Sequence, residues 1–241
     1  MITKETDDFS RLNFQSGEVI LIDKPSGWTS FKVVYKIRRA VEVKRVGHAG
    51  TLDPLATGLL IICTGKKTKE ITQYQDLKKT YAGKIILGKT SPSMDMETEI
   101  TETDFPAGIT IDKILETRNN FVGKIKQVPP MFSAVKVNGR SLYKIARKGK
   151  EVVREPREVE VHKFEVKKIA LPEIEFEIVC SKGTYIRSIA NDFGERLGCG
   201  GILGSLRRTA IGEYSVDNAL GADDFIEKMK TAAVNAKSLE V

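Results

Sequence analysis

The run Gly47-His48-Ala49-Gly50-Thr51-Leu52-Asp53-Pro54-Leu55-Ala56-Thr57-Gly58 constrains this chain more than any other stretch. Its glycines admit backbone shapes that other residues resist, and Asp before Pro is driven out of the helical region, so the segment reads as a loop. The apolar residues 59–63 follow at once and read as a short buried strand. The loop is therefore set against a sheet, and it holds one carboxylate, Asp53, among small residues where a ligand can reach it. An isolated Asp-Pro would read instead as a capping aspartate in a turn.

Around this loop the pattern alternates between strand and helix. Residues 18–22 read as a buried strand, and the turn Lys24-Pro25-Ser26-Gly27 delivers the chain to Thr29 or Ser30 as a helix N-cap. Phe31, Val34, Tyr35, Ile37 and Val41 then follow helical spacing as the apolar face, with Lys32, Lys36 and Arg39 outward. Residues 66–77 read as helical. Tyr81 opens a strand in which Tyr81, Gly83, Ile85 and Leu87 share a face, where Tyr81 is by default a core aromatic. Residues 93–105 read as an exposed acidic excursion, and residues 110–121 as an amphipathic helix.

Residues 129–157 form a candidate subdomain: two short strands turning at Asn138-Gly139, then a basic helix over residues 141–147. Ile174-Glu175-Phe176-Glu177-Ile178 alternates as a half-exposed antiparallel strand does. A helix follows Gly183-Thr184, its stripe formed by Ile186, Ile189, Ala190, Phe193 and Leu197 and its end marked by Gly198. Arg187 lies off that stripe, and Tyr185 and Arg187 fall where a strand gives way to a helix, a junction that can aim side chains into a cleft. The expected class is mixed α/β, a long, largely antiparallel sheet flanked by helices, in a single domain over residues 1–241.

Charge narrows the partners. The chain has 241 residues and a formal net charge of +7, unevenly spread. Residues 131–157 hold eight basic side chains (Lys136, Arg140, Lys144, Arg147, Lys148, Lys150, Arg154, Arg157) against two acids, and residues 32–45 hold six against one. Residues 93–116 hold seven acids against one lysine. Such segregation favours one polyanion-facing side, although each basic segment alone could be a solvated face. No apolar run approaches the roughly 20 residues that span a bilayer, and the polar N-terminus is not signal-like, so a cytoplasmic location is the default. Three cysteines without C-x-x-C spacing and two distant histidines, His48 and His162, indicate neither disulfides nor a metal site. No nucleotide-binding glycine motif is present, so no cofactor is expected.

The ordered runs Leu21-Ile22-Asp23-Lys24-Pro25-Ser26-Gly27-Trp28-Thr29-Ser30, the Asp53 loop, Lys79-Thr80-Tyr81, Val128-Pro129-Pro130-Met131-Phe132-Ser133-Ala134, Gly183-Thr184-Tyr185-Ile186-Arg187, Gly198-Cys199-Gly200 and Leu206-Arg207-Arg208 together resemble the bacterial tRNA pseudouridine-55 synthases, the TruB family. The resemblance covers about residues 17–221. It implies the pseudouridine synthase fold, with residues 129–157 as a thumb that closes over an RNA hairpin. It also implies isomerisation of uridine 55 in the tRNA T arm by base flipping, without metal, cofactor or obligate protein partner.

By the same resemblance Asp53 is the essential catalytic acid, Tyr81 stacks on the target base, Arg187 pairs with the aspartate, and Tyr185 lies against the reacting nucleotide. Leu206 completes an apolar wall, and His48 wedges into the T loop. Lys24 either buttresses the Asp53 loop or contacts phosphate. Lys32, Lys36, Arg39, Lys136, Arg140, Lys144 and Arg147 are the expected RNA-binding cations. Members of the family commonly carry a C-terminal PUA module. Only about twenty residues follow Leu220 here, enough for a closing helix over residues 223–230, so no such module is expected. Two other readings stay open: a non-catalytic RNA-binding protein on the same scaffold, and a hydrolase with an aspartyl nucleophile, which would want a metal-binding acidic cluster that the Asp53 motif lacks.

Overall fold

The computed structural model describes residues 1–106, 108–137 and 139–238, so the expected turn residue Asn138 lies outside the described residues. The chain forms two compact units: Met1–Lys79 together with Arg207–Val241, and Thr80–Leu206.

The first unit is built around the strand Thr57–Thr64. It pairs antiparallel with Val19–Lys24 from Val19 opposite Cys63 to Lys24 opposite Gly58, and antiparallel with Val46–His48. Arg207 and Arg208 pair with Thr57 and Gly58 in parallel, and Leu220–Gly221 runs parallel to Val19–Lys24. An apolar strand of this kind is buried on both faces. Leu60 and Ile62 join Ile20, Ile22, Val33, Ile37 and Phe225 in one core layer, while Leu59, Ile61 and Cys63 join Leu21, Ala49 and Ile211 in another.

The helix Ser30–Val41 covers the first layer. Thr29 caps it by accepting the Lys32 N–H at 3.0 Å. Its buried stripe is Val33, Val34, Ile37 and Val41, while Phe31 and Tyr35 stand 69% and 46% exposed. This corrects the expected face. At about 100° per residue, Phe31 and Tyr35 lie roughly 100–140° from the centre of the buried stripe, too far round to reach the sheet. The polar-looking N-terminus also contributes core, through Ile2, Phe9 and Phe14. The expected helix over residues 66–77 is a 3-10 turn, Gly65–Glu70, leading into a short α-helix, Ile71–Asp76. The closing helix is longer than expected, Ala222–Ser238.

In the second unit the strand order runs from Lys79–Leu87 through Glu173–Cys180 and Arg157–Ala170 to Gly123–Gln127. Glu173–Cys180 alternates in burial at every residue, as its sequence requires, and pairs antiparallel with Arg157–Ala170. The helices Ile111–Asn119 and Ile186–Leu197 pack here, around an aromatic cluster of Phe121, Phe164, Phe176 and Phe193. Gly198 ends the second helix in the left-handed region, φ 78°.

The acidic excursion is only partly exposed: Ser93 and Asp95 are buried, and Lys89–Thr90 pairs with Thr101–Glu102. Within residues 129–157, Lys136–Val137 pairs with Arg140–Ser141 ahead of the helix Leu142–Ala146. The mixed α/β class with a mostly antiparallel sheet and flanking helices is what the sequence led us to expect. Among the described residues no helix is long and apolar enough to cross a membrane.

Candidate active site

Asp53 sits half-buried in a loop whose backbone is gripped by two buried cations of the first unit. Lys24, with no exposed surface, donates from Nζ to the carbonyls of Pro25 (2.9 Å), Trp28 (2.6 Å) and Pro54 (3.2 Å). Arg208, 1% exposed, donates from Nε to Leu59 O (2.7 Å), from Nη2 to Gly50 O (3.1 Å) and from Nη1 to Thr51 O (3.5 Å). Between them Ser30 Oγ accepts the Leu52 N–H at 2.8 Å and donates to Leu52 O at 3.1 Å. Gly27 N–H donates to Pro54 O at 2.9 Å. The residues on both sides of Asp53 are thus tied to the helix Ser30–Val41, to the Lys24 turn and to the strand bearing Arg208.

The geometry favours the first of the two readings of Lys24. An amine with no solvent contact that satisfies three carbonyls is a strut of the loop, and phosphate has no path to it. Burial pulls its pKa down to about 8, against the raising effect of the nearby Asp53 carboxylate and with the Arg208 guanidinium adding to the fall. Gly58 makes the close approach possible: it has φ +103°, and a Cβ there would stand 2.3 Å from Arg208 O.

His48 ends the strand Val46–His48, half-buried, with its pKa lowered by burial and by Arg208, so the imidazole is neutral at pH 7.

The remaining sequence-predicted groups belong to the second unit. Arg187 is 2% exposed, which excludes a surface salt bridge. Its Nη1 donates to Ser93 O at 2.9 Å, its Nη2 to Phe132 O at 2.7 Å, and its Nε lies 3.6 Å from the buried Asp95 carboxylate. The burial of Asp95 follows: a carboxylate of the acidic segment is drawn inside to neutralise a guanidinium that the helix start has carried there. Tyr185 precedes the helix Ile186–Leu197, half-buried. Its N–H donates to Gln127 Oε1 at 3.0 Å, and Gln127 Nε2 donates back to Tyr185 O at 3.2 Å, a two-way latch that fixes the junction. Tyr81 is 9% exposed on its strand, and Leu206 is half-buried.

Lys32, Lys36 and Arg39 are exposed in the first unit, and Lys136, Arg140, Lys144 and Arg147 in the second. Sequence reasoning overlooked Gln127 and Asp95, and it quoted Arg208 within the run Leu206-Arg207-Arg208 without giving it a role. For Arg208 the available signal was two adjacent arginines within one strand, Gly201–Ile211, since alternation must turn one of them inward. Its neighbour Arg207 is turned the other way and grips Asp23 with two bonds, 3.0 and 2.7 Å. Among the described residues no group of three or more His, Cys, Asp or Glu side chains could hold a metal ion.

The chain is 49% identical to the tRNA pseudouridine synthase B of Flavobacterium johnsoniae over 224 residues, 90% of this chain and 98% of that protein. It is 51% identical to the enzyme of the same name from Chloroherpeton thalassium over 231 residues, 92% and 95% of the two chains. A chain in the crystal structure of a Cbf5-Nop10-Gar1 complex is 28% identical and superposes with a TM-score of 0.69, covering 94% of this chain and 58% of that one. Residues 38–186 match the TruB family pseudouridylate synthase N-terminal domain, and residues 187–240 match the tRNA pseudouridylate synthase B C-terminal domain. The chain belongs to the TruB family of pseudouridylate synthases.

Proposed function

We propose that this chain, a pseudouridine synthase of transfer RNA, isomerises uridine 55 in the T arm and uses the Asp53 carboxylate to do it. The reaction breaks the bond from ribose C1′ to N1 of uracil and forms a bond from C1′ to C5. The C5 proton leaves and N1 gains one, so nothing is consumed and no redox or phosphate donor is needed. What the protein must supply is a flipped base, a carboxylate to act as nucleophile or to stabilise developing positive charge, and confinement of the detached uracil.

The observation that carries this reading is the double clamp on the Asp53 loop. Two buried cations hold the backbone on either side of a half-buried carboxylate, which fixes its position. Tyr81 supplies the aromatic face for the base, Leu206 the apolar wall, Tyr185 a proton acceptor, and Arg187 a buried guanidinium charge for the reaction. His48, neutral at working pH, acts by wedging into the T loop and not as a cation. Residues 129–157 form the thumb, and Lys136, Arg140, Lys144 and Arg147, with Lys32, Lys36 and Arg39, meet RNA phosphates. The catalytic unit is the whole of residues 1–241, acting in the cytoplasm.

The test is release of tritium from uridine C5 in an unmodified tRNA transcript. Wild type should release it, while Asp53→Asn, or a transcript with cytidine at position 55, should not. Asp53→Asn should still bind the transcript. Normal turnover by Asp53→Asn would end the catalytic assignment, and tight binding without release by wild type would favour a non-catalytic RNA-binding role.

A further inference from the structure

The face of the helix Ser30–Val41 that turns away from the core is both aromatic and basic. Phe31 is 69% exposed and Tyr35 46% exposed, one helical turn apart. Lys32 Nζ lies 4.4 Å from the Trp28 ring centroid and Lys36 Nζ 6.0 Å from it, while the Arg39 guanidinium lies 5.9 Å from the Tyr35 ring. The helix contains no acid, and exposed Lys44 and Arg45 follow it. Phe31 and Tyr35 are not required by folding, since the buried stripe is complete without them.

We infer that this face is a stacking platform for single-stranded nucleotides of the RNA substrate, with Phe31 and Tyr35 taking bases and Lys32, Lys36 and Arg39 their phosphates. The inference rests on the reading of the chain as an RNA-modifying enzyme and specifies which part of the RNA this helix meets. Interleaved aromatic and cationic side chains are what a sequence-tolerant single-strand surface requires, because every base has a π-face and every nucleotide a phosphate. A duplex, whose bases are already stacked, cannot use the aromatic half of the pattern. An apolar protein partner would bury three uncompensated cations of this helix, Lys32, Lys36 and Arg39.

At a rise of about 1.5 Å per residue, Phe31 and Tyr35 stand roughly 6 Å apart along the axis, within reach of neighbouring bases of one strand. The platform is also coupled to the site. Ser30 is bonded to Leu52 in both directions and Ser26 Oγ donates to Leu55 O at 3.2 Å, so the helix start and the Asp53 loop are one rigid piece. A strand held on the helix is thereby held in register with Asp53.

Trp28 is the chain's one tryptophan and lies beneath Lys32, so its fluorescence reports directly on this face. The experiment titrates wild type and the double variant Phe31→Ala/Tyr35→Ala with a mixed-sequence single-stranded hexanucleotide RNA, with the same sequence as a blunt duplex, and with an unmodified tRNA transcript. Both substituted side chains are exposed, so the variant should fold, and its circular dichroism checks that it does. The single strand should quench Trp28 and the duplex should not. The double variant should bind the tRNA about tenfold more weakly, a loss that appears in KM and not in kcat. Unchanged Kd and KM in the variant, or equal quenching by duplex and single strand, would overturn the inference. So would a variant that keeps wild-type RNA affinity but loses binding to a purified acidic protein. Absence of tritium release by wild type would instead strike at the proposed function, leaving the strand-versus-duplex contrast to be judged separately.

Discussion

Lys24 and Arg208 do the same work by different chemistry. The ammonium is a point donor that three carbonyls surround, whereas the guanidinium is a fork whose nitrogens each find a carbonyl. Arg208→Met keeps much of the volume but strands buried carbonyls, at about 1–3 kcal/mol each. The expected result is a fall in stability of roughly 3 kcal/mol in urea denaturation, and a loss of kcat with RNA affinity retained. Lys24 adds a pH signature. With its folded pKa pulled down to about 8 against an ordinary 10.5, the unfolded chain holds the proton over that window and the folded chain releases it. Folding stability therefore rises with pH between about 8 and 10.5, and the burial cost of the charged amine is fully present below 8. Stability curves of wild type and Lys24→Met at pH 7 and pH 10 should diverge in that sense, and parallel curves would contradict the assigned shift.

At the scale of elements, the strand Thr57–Thr64 is held to Arg208 by a contact that only glycine permits. Gly58→Ala places a methyl 2.3 Å from Arg208 O at a φ of +103°, so we expect a loss of about 2–4 kcal/mol and an Asp53 loop that no longer holds its place. Thr29→Ala removes one N-cap bond and should cost only about 1 kcal/mol. Thermal melts of the two variants would rank them. The elements readable in the sequence were those with one dominant period: the apolar run after Gly58, the alternation of residues 174–178, and the capped stripe ending at Gly198. Arg157–Ala170 was missed because it is densely charged and its register shifts twice, between Val161 and Lys163 and between Val166 and Lys168, which breaks the period of two. Phe31 and Tyr35 were misread because helical spacing alone does not say which of two adjacent apolar flanks meets a sheet. The residues expected at the site were carried by short motifs; of their supports, Arg208 stood in such a run but its role did not show, while Gln127 and Asp95 act through backbone groups or a buried ion pair and leave no motif.

At the scale of the whole molecule, a formal charge of +7 concentrated in exposed segments makes RNA affinity a function of ionic strength. The logarithm of the binding constant should fall linearly with the logarithm of salt, and each of Lys136→Ala, Arg140→Ala or Lys144→Ala should shallow the slope by about 1 if that cation meets a phosphate. A slope untouched by all three would remove the thumb from the interface. The path of the chain carries a further consequence. The second unit is one continuous stretch, whereas the first is assembled from both ends of the sequence, with Leu220, Ala222 and Phe225 completing a core begun by Ile20 and Ile22. During synthesis the ribosome therefore delivers Asp53 early but Arg208 some 150 residues later. A nascent chain can finish its middle while its catalytic loop is still slack, and the enzyme acquires its grip on that loop only when its last strand and helix emerge.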